Sequence, residues 1–281
     1  MSSPFLNQAR QEMRLRQYSI RTEHTYLYWI RFFIRFNRLQ HPSMLGPTEV
    51  KALLSYLASQ RQVSANTQKV ALNALQFLYG KFLKTPLGEL NFTLCSRGRY
   101  LPAVLTPPEV QAIWDAMHGS TPHKLIIQLL YGTGMRVSEC LRLRIQDIDF
   151  GRNLIVIHDG KGKKDRTTLL PGALRAALGA QIAQATLVHQ QDLALGVGPA
   201  LPLALSRKYP NAWRQPGWGF VFPASGHCSH PYVGGLCRYH LHQTAVRKAL
   251  KHALALVPRL HKRVSCHTFR HCFASQLLAS G

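Results

Sequence analysis

The sequence predicts a mainly α-helical (α+β) protein built in two parts, the second carrying a small antiparallel sheet. Three observations predict it. Apolar residues recur at intervals of three and four through residues 1–88. A stretch punctuated by proline and glycine, from Thr85-Pro86-Leu87-Gly88 to Leu101-Pro102, then breaks the pattern. Beyond it, one short β-branched run, Leu154-Ile155-Val156-Ile157, faces a natural hairpin partner, Thr167-Thr168-Leu169-Leu170, across a turn of glycines and lysines. The expected boundaries are a helical bundle over 1–88, a linker over 89–104 and a second part over 105–281.

The bundle reads as four helices. Phe5, Ala9 and Met13 mark the first, and Tyr26, Ile30, Phe33 and Ile34 the second, with Arg31, Arg35 and Arg38 on its other faces. Pro47 begins the third, ahead of Val50, Leu53, Leu54 and Leu57. Ser64 caps the fourth, whose stripe is Val70, Ala74, Leu75 and Leu78. Aromatic residues here, Trp29 included, are assigned to the core. The second part opens on a capping box, Thr106-Pro107-Pro108-Glu109, leading into Val110, Ile113, Trp114 and Met117. A helix from Lys124 to Tyr131 meets Gly132-Thr133-Gly134 and resumes from Arg136 to Leu143. After the hairpin, helices are expected near 172–191, 239–256 and 267–279, separated by an irregular stretch, 192–235, rich in proline, glycine and tryptophan.

Charge points to the partner. Lys and Arg number 35 against 12 Asp and Glu, a net of +23 with histidine neutral. Residues 1–100 hold 14 and 4 of these, so both halves are basic and the excess is no detachable tail. At 46% hydrophobic and 17% charged, the chain is too apolar for an extended polyelectrolyte. Such a folded polycation is suited to a polyanion, and nucleic acid comes first because binding releases its condensed counterions. An anionic membrane surface comes second, but no basic amphipathic segment stands free of the folded parts. No uninterrupted apolar run of ~18 residues predicts a membrane span. Residues 1–16 lack the apolar centre of a signal peptide, and six scattered cysteines give no disulfide framework, so a cytoplasmic setting is expected.

Three separated features offer cations to one phosphate. Arg136 follows a glycine turn, Lys161 sits in the hairpin turn, and His267 and Arg270 share a helical face. Two guanidinia can clamp a phosphodiester and neutralise the charge of its transition state. A lysine can protonate the leaving oxygen, and a histidine can move a proton.

Taken in order, Gly132-Thr133-Gly134-Met135-Arg136-Val137-Ser138-Glu139, Gly160-Lys161-Gly162-Lys163-Lys164-Asp165-Arg166 and His267-Thr268-Phe269-Arg270-His271-Cys272-Phe273-Ala274 resemble the signatures of tyrosine recombinases, the phage integrase family. Leu205 to Trp218, Phe220-Val221-Phe222-Pro223 and Arg238-Tyr239-His240-Leu241-His242 resemble the insertion of the integron integrase subgroup, placed here at about 192–235. Asn66-Thr67-Gln68, Ala71 to Leu75 and Phe77-Leu78-Tyr79 resemble its N-terminal domain.

The resemblance implies a SAM-like core-binding domain and a catalytic domain that together clamp DNA. It implies that Arg136 and Arg270 hold the scissile phosphate, Lys161 acts as general acid, His267 assists proton transfer and Glu139 orients the site. It also implies strand exchange through a 3′-phosphotyrosyl bond without metal or other cofactor, by four protomers on two DNA segments. His158, Trp218, Pro231, Tyr239 and His240 would contact bases displaced from folded single-stranded sites, although the subgroup more often has Trp at His158 and His at Tyr239. In the family a second His or Trp and the nucleophilic Tyr follow the His-x-x-Arg helix. Here the last tyrosines, Tyr232 and Tyr239, precede His267 and the sequence stops at Gly281. The expectation is therefore a truncated form, able to bind DNA but not to cleave it, or a piece of a longer active enzyme; its stability and assembly as a tetramer are open. Two alternatives stand beside it, a non-catalytic DNA-binding or architectural protein and an RNA-associated basic protein. A zinc site from His227, Cys228, His230, Cys237, His240 and His242 is disfavoured, because no clean Cys-x-x-Cys half is present.

Overall fold

The computed structural model describes residues 3–90, 103–119, 122–158, 164–230 and 234–279. Its contacts divide the chain into two compact units, 1–100 and 101–281.

Unit 1–100 is a helical bundle of α1 (Pro4–Leu15), α2 (Ile20–Phe36), α3 (Pro47–Ser59) and α4 (Ala65–Phe77), the last running into a π turn over Leu78–Phe82. Short polar residues start these helices by satisfying orphan backbone donors. Ser19 accepts the Thr22 N–H at 3.1 Å, and Ser64 accepts that of Thr67 at 3.2 Å. Val50, Leu53, Leu54 and Leu57 are all buried, as their spacing predicts, and Trp29 is buried with them. In the other three helices Ala9, Met13, Ile30, Phe33, Ala74, Leu75 and Leu78 are buried as expected, and a shift of one residue is confined to the edge of the stripe. Leu6, Leu27 and Ala71 are buried, whereas Phe5, Tyr26 and Val70 are half-buried. Rings at the rim explain part of this shift: Phe5 packs edge-on against His41 and Phe82, at centroid distances of 4.7 and 5.2 Å. Arg10, His24, Tyr28, Arg31, Phe32 and Arg35 line a concavity of about 370 Å³ on α1 and α2.

Unit 101–281 begins with α5 (Pro107–Ala116), and its capping box forms as the sequence predicts. Glu109 Oε2 accepts the Thr106 N–H at 2.7 Å and also receives Lys262 Nζ at 2.7 Å. Thr106→Ala is expected to lower stability by about 1 kcal/mol through loss of the cap, measurable by urea unfolding. Next come α6 (His123–Thr133), closed by Gly134 in the left-handed region at φ 63°, and α7 (Val137–Leu141). Strands β1 (Ile148–Asp149), β2 (Leu154–Ile157) and β3 (Arg166–Leu169) form an antiparallel sheet in that order. Leu154 stands opposite Leu169, and Ile157 opposite Arg166. Then follow α8 (Arg175–Ala194), α9 (Leu203–Lys208), the hairpin β4 (Pro223–Ser229) and β5 (Leu236–His240), α10 (Gln243–Ala255) and α11 (Cys266–Ala279). Helix α11 packs along α6, and Ile113, Ile126, Leu130, Phe222, Val246 and Phe269 belong to the shared core.

The mostly helical class with small antiparallel sheets is the one expected, with three local corrections. The short helix after Gly134 ends at Leu141, and Arg136 is its N-cap. The stretch read as irregular holds α9 and β4, and the helix expected from 239 starts at Gln243 because Tyr239 and His240 belong to β5. No alternation marks β4, Pro-Ala-Ser-Gly-His-Cys-Ser, as a strand. It is held by pairing with β5 and by a tertiary tie: Arg238 on β5 and His227 on β4 both reach the buried Asp192 of α8, at 2.6 Å each. Among the described residues, no helix is long and apolar enough to cross a membrane.

Candidate active site

The site is assembled around one buried carboxylate. Gly134 turns the chain out of α6, so Arg136 caps α7 and Glu139 falls in its first turn. Glu139 is 4% exposed. Its Oε1 accepts Arg136 Nη1 at 2.7 Å and Arg166 Nη1 at 3.1 Å. Its Oε2 accepts the Arg136 backbone N–H at 2.8 Å and Arg166 Nη2 at 2.7 Å. Four N–H donors thus fill the four lone-pair directions of an ionised carboxylate. Burial alone would raise the Glu139 carboxyl, but the hydrogen bonds from Arg166 and Arg136 outweigh it and bring the group down to about 2.

Arg270 comes from α11, and its Nη1 donates to the Gly134 carbonyl and lies 3.9 Å from Glu139 Oε2. Arg136 and Arg270, 134 positions apart in the chain, therefore flank one carboxylate. Each keeps N–H groups without a protein acceptor among the described residues. His267 stands one turn before Arg270 on the same helix, exposed. Partial desolvation and, after it, the charges of His271, Arg270 and Arg136 hold its imidazole below the ordinary value, so it is neutral at pH 7 and able to accept a proton. Lys161 lies outside the described residues.

A second constellation lies beside the first. Glu139, His158, Trp218, Tyr239 and His240 all line a cleft of about 390 Å³. The Tyr239 and His240 rings lie 4.3 Å apart at 36°, and Phe220 meets both edge-on. His158 Nδ1 contacts Asp165 at 2.8 Å, and its Nε2 lies 3.5 Å from Asp147, so that imidazole is engaged by carboxylates. Pro231 lies outside the described residues. Cys228 and Cys237, weighed as zinc ligands, meet with their Sγ atoms 3.9 Å apart, but three of the histidines weighed with them have other partners. His227 is held by Asp192, His240 Nδ1 donates to the Leu241 carbonyl at 2.9 Å, and His242 caps α10. Among the described residues, no three His, Cys, Asp or Glu side chains form a metal-holding group.

Two arginines were not singled out from the sequence. Arg166 was visible only as the last residue of the hairpin motif, and nothing in sequence shows that it meets Glu139, 27 positions away. Arg144 is a half-buried support of the cleft. It donates to the carbonyls of Trp218 and Ala200, and its guanidinium lies 4.4 Å over the Phe220 ring. Burial pushes it down to about 10.

Known proteins resemble this chain along nearly its whole length. Residues 5–89 match the phage integrase N-terminal SAM-like domain, and residues 103–281 match the phage integrase family. Over 278 residues the chain is 44% identical to an integrase/recombinase of Escherichia coli, covering 98% of this chain and 82% of that protein. A 71-residue stretch is 41% identical to tyrosine recombinase XerC of Lacticaseibacillus casei, 24% of each chain. The fold is similar to that of the Tn1549 transposon integrase in complex with transposon right end DNA, with a TM-score of 0.64 at 16% identity, over 99% of this chain and 87% of that one. The chain belongs to the phage integrase family of tyrosine recombinases, whose activity is site-specific DNA recombination.

Proposed function

We propose that the chain is a DNA recombinase of the integron integrase type, and that Arg136, Arg270, His267 and Lys161 are its phosphate-handling groups. The observation that carries this is the saturated carboxylate of Glu139, which aligns Arg136 while leaving N–H groups of Arg136 and Arg270 for another acceptor. Three guanidinia and one carboxylate sum to a charge of +2 before substrate enters. A phosphodiester brings one negative charge, and its pentacoordinate transition state develops a second, which such preorganised donors stabilise more than the ground state. Glu139 orients the cluster. Neutral His267 accepts or returns a proton beside the attacked phosphorus, and Lys161 protonates the departing 5′ oxygen. The attacking hydroxyl is assigned to none of the described residues.

The cleft supports the subgroup assignment. Trp218, Tyr239 and His240, with His158 at the rim and with Pro231, would receive a base displaced from a folded single strand, each stacked base contributing ~1–3 kcal/mol. Four protomers on two DNA segments, in the cytoplasm and without cofactor, complete the proposal.

The test is DNA binding by residues 1–281, comparing a folded single-stranded integron recombination site with a perfectly paired duplex of the same composition. Tighter binding to the folded strand is expected, lost in Trp218→Ala. Arg136→Ala and Arg270→Ala should weaken it by at least tenfold, against less than threefold for Arg152→Ala, whose side chain is 82% exposed. Equal losses for all three arginines would favour a non-catalytic DNA-binding protein, and a preference for the duplex would remove the integron assignment.

A further inference from the structure

Arg166 sits on β3 and gives Glu139 a two-pronged bond at 3.1 and 2.7 Å. Its side chain is 36% exposed, so the fork is neither deep core nor a solvated surface pair. The carboxylate has about four lone-pair directions, and Arg136 fills two of them, one from Nη1 and one from its backbone. Arg166 fills the other two. Arg270 consequently stands off at 3.9 Å from Oε2, beyond hydrogen-bond length, although opposite charges attract across that gap. Without the fork, two acceptor directions would open beside a guanidinium little more than 1 Å too far away to use them. Arg270 would then close on Glu139 and spend there the N–H groups that a phosphate needs.

We propose that Arg166 is a positioning residue of the recombination site: by occupying both Glu139 oxygens it keeps the carboxylate from capturing Arg270, so that Arg270 stays available to a phosphate. The role requires a planar fork. A lysine at this position keeps the charge but fills one acceptor direction rather than two.

The inference rests on Arg136 and Arg270 forming a phosphate site, and the experiment separates the two claims. The 281-residue chain is titrated with inorganic phosphate, followed by the ¹⁵Nε–¹H signals of its arginine side chains. Shifts at Arg136 and Arg270 are expected in the wild type, and their absence would overturn the phosphate site and this inference with it. Given binding, Arg166→Ala should weaken phosphate about tenfold, and Arg166→Lys by nearly as much. In Glu139→Gln, which has one acceptor oxygen and no charge to attract Arg270, adding Arg166→Ala should change affinity less than twofold. Equal losses from Arg166→Ala in both backgrounds, or wild-type affinity in Arg166→Lys, would show an independent charge effect and overturn the positioning role while leaving the phosphate site intact. Arg166→Lys and the double variant keep the test decisive if Arg166→Ala alone does not fold.

Discussion

Gly134→Ala is expected to destabilise unit 101–281 by about 4 kcal/mol, combining backbone strain with overpacking. Gly134 has a φ of +63°, and a Cβ there would stand 2.4 Å from Phe273 Cδ1 and 2.8 Å from its Cε1. That ring belongs to α11, so the collision separates α6 from the helix that carries His267 and Arg270. The Gly134 carbonyl also accepts from Arg270, so displacement would move a phosphate-site guanidinium as well. Gly119 supplies the control. Its φ is also +63°, but a Cβ there meets nothing within 4 Å, so Gly119→Ala should show the backbone strain alone, ~1 kcal/mol. Hydrogen exchange on α6 and α11 in the full chain measures both. Equal protection in the two variants would mean that Phe273 yields to the added methyl.

Glu139→Ala should destabilise the same unit by about 3–5 kcal/mol, because it removes the shared partner of Arg136 and Arg166 and leaves Arg270 facing two like charges. A milder variant, Glu139→Gln, exposes the pH dependence. The folded carboxyl titrates at about 2, below its ordinary value of 4.5, so the unfolded chain binds the proton first as pH falls. The ion cluster therefore contributes its full stability above about pH 5, and loses it progressively as pH falls towards 2. Glu139→Gln cannot lose what it lacks. Subtracting its unfolding free energy from that of the wild type, pH by pH, should give a plateau above pH 5 and a decline towards zero below it. A difference that stays flat to pH 2 would mean that the arginines do not stabilise the ionised carboxylate.

Much of the fold was legible because local rules and tertiary packing agree there. Ser64, Pro47 and Thr106 announce helix starts by satisfying or lacking backbone donors, and those helices begin where these residues stand. The β2–β3 hairpin was equally plain, with β-branched residues on both sides of a glycine turn. The β4–β5 hairpin was not, because its strands lack an alternating face and depend on Asp192, 35 positions before His227 and 46 before Arg238. Sequence spacing carries no sign of such a distant anchor.

The candidate site divides in the same way. Residue types and spacing brought out Arg136, Lys161, His267 and Arg270, and the family resemblance added Glu139, His158, Trp218, Pro231, Tyr239 and His240. Arg166 and Arg144 emerged only from coordinates, since each acts on groups supplied by other segments: Arg166 on Glu139 of α7, and Arg144 on the carbonyls of Ala200 and Trp218. What the amino-acid order determined by itself was the helix starts, the apolar stripes, the polycationic character and the family motifs, all of which depend on neighbours a few positions apart. Only the tertiary structure decided which charges meet, because electrostatic pairing depends on separation in space, and the closing of α6 at Gly134 against α11 brings residues 136 and 270 to one carboxylate.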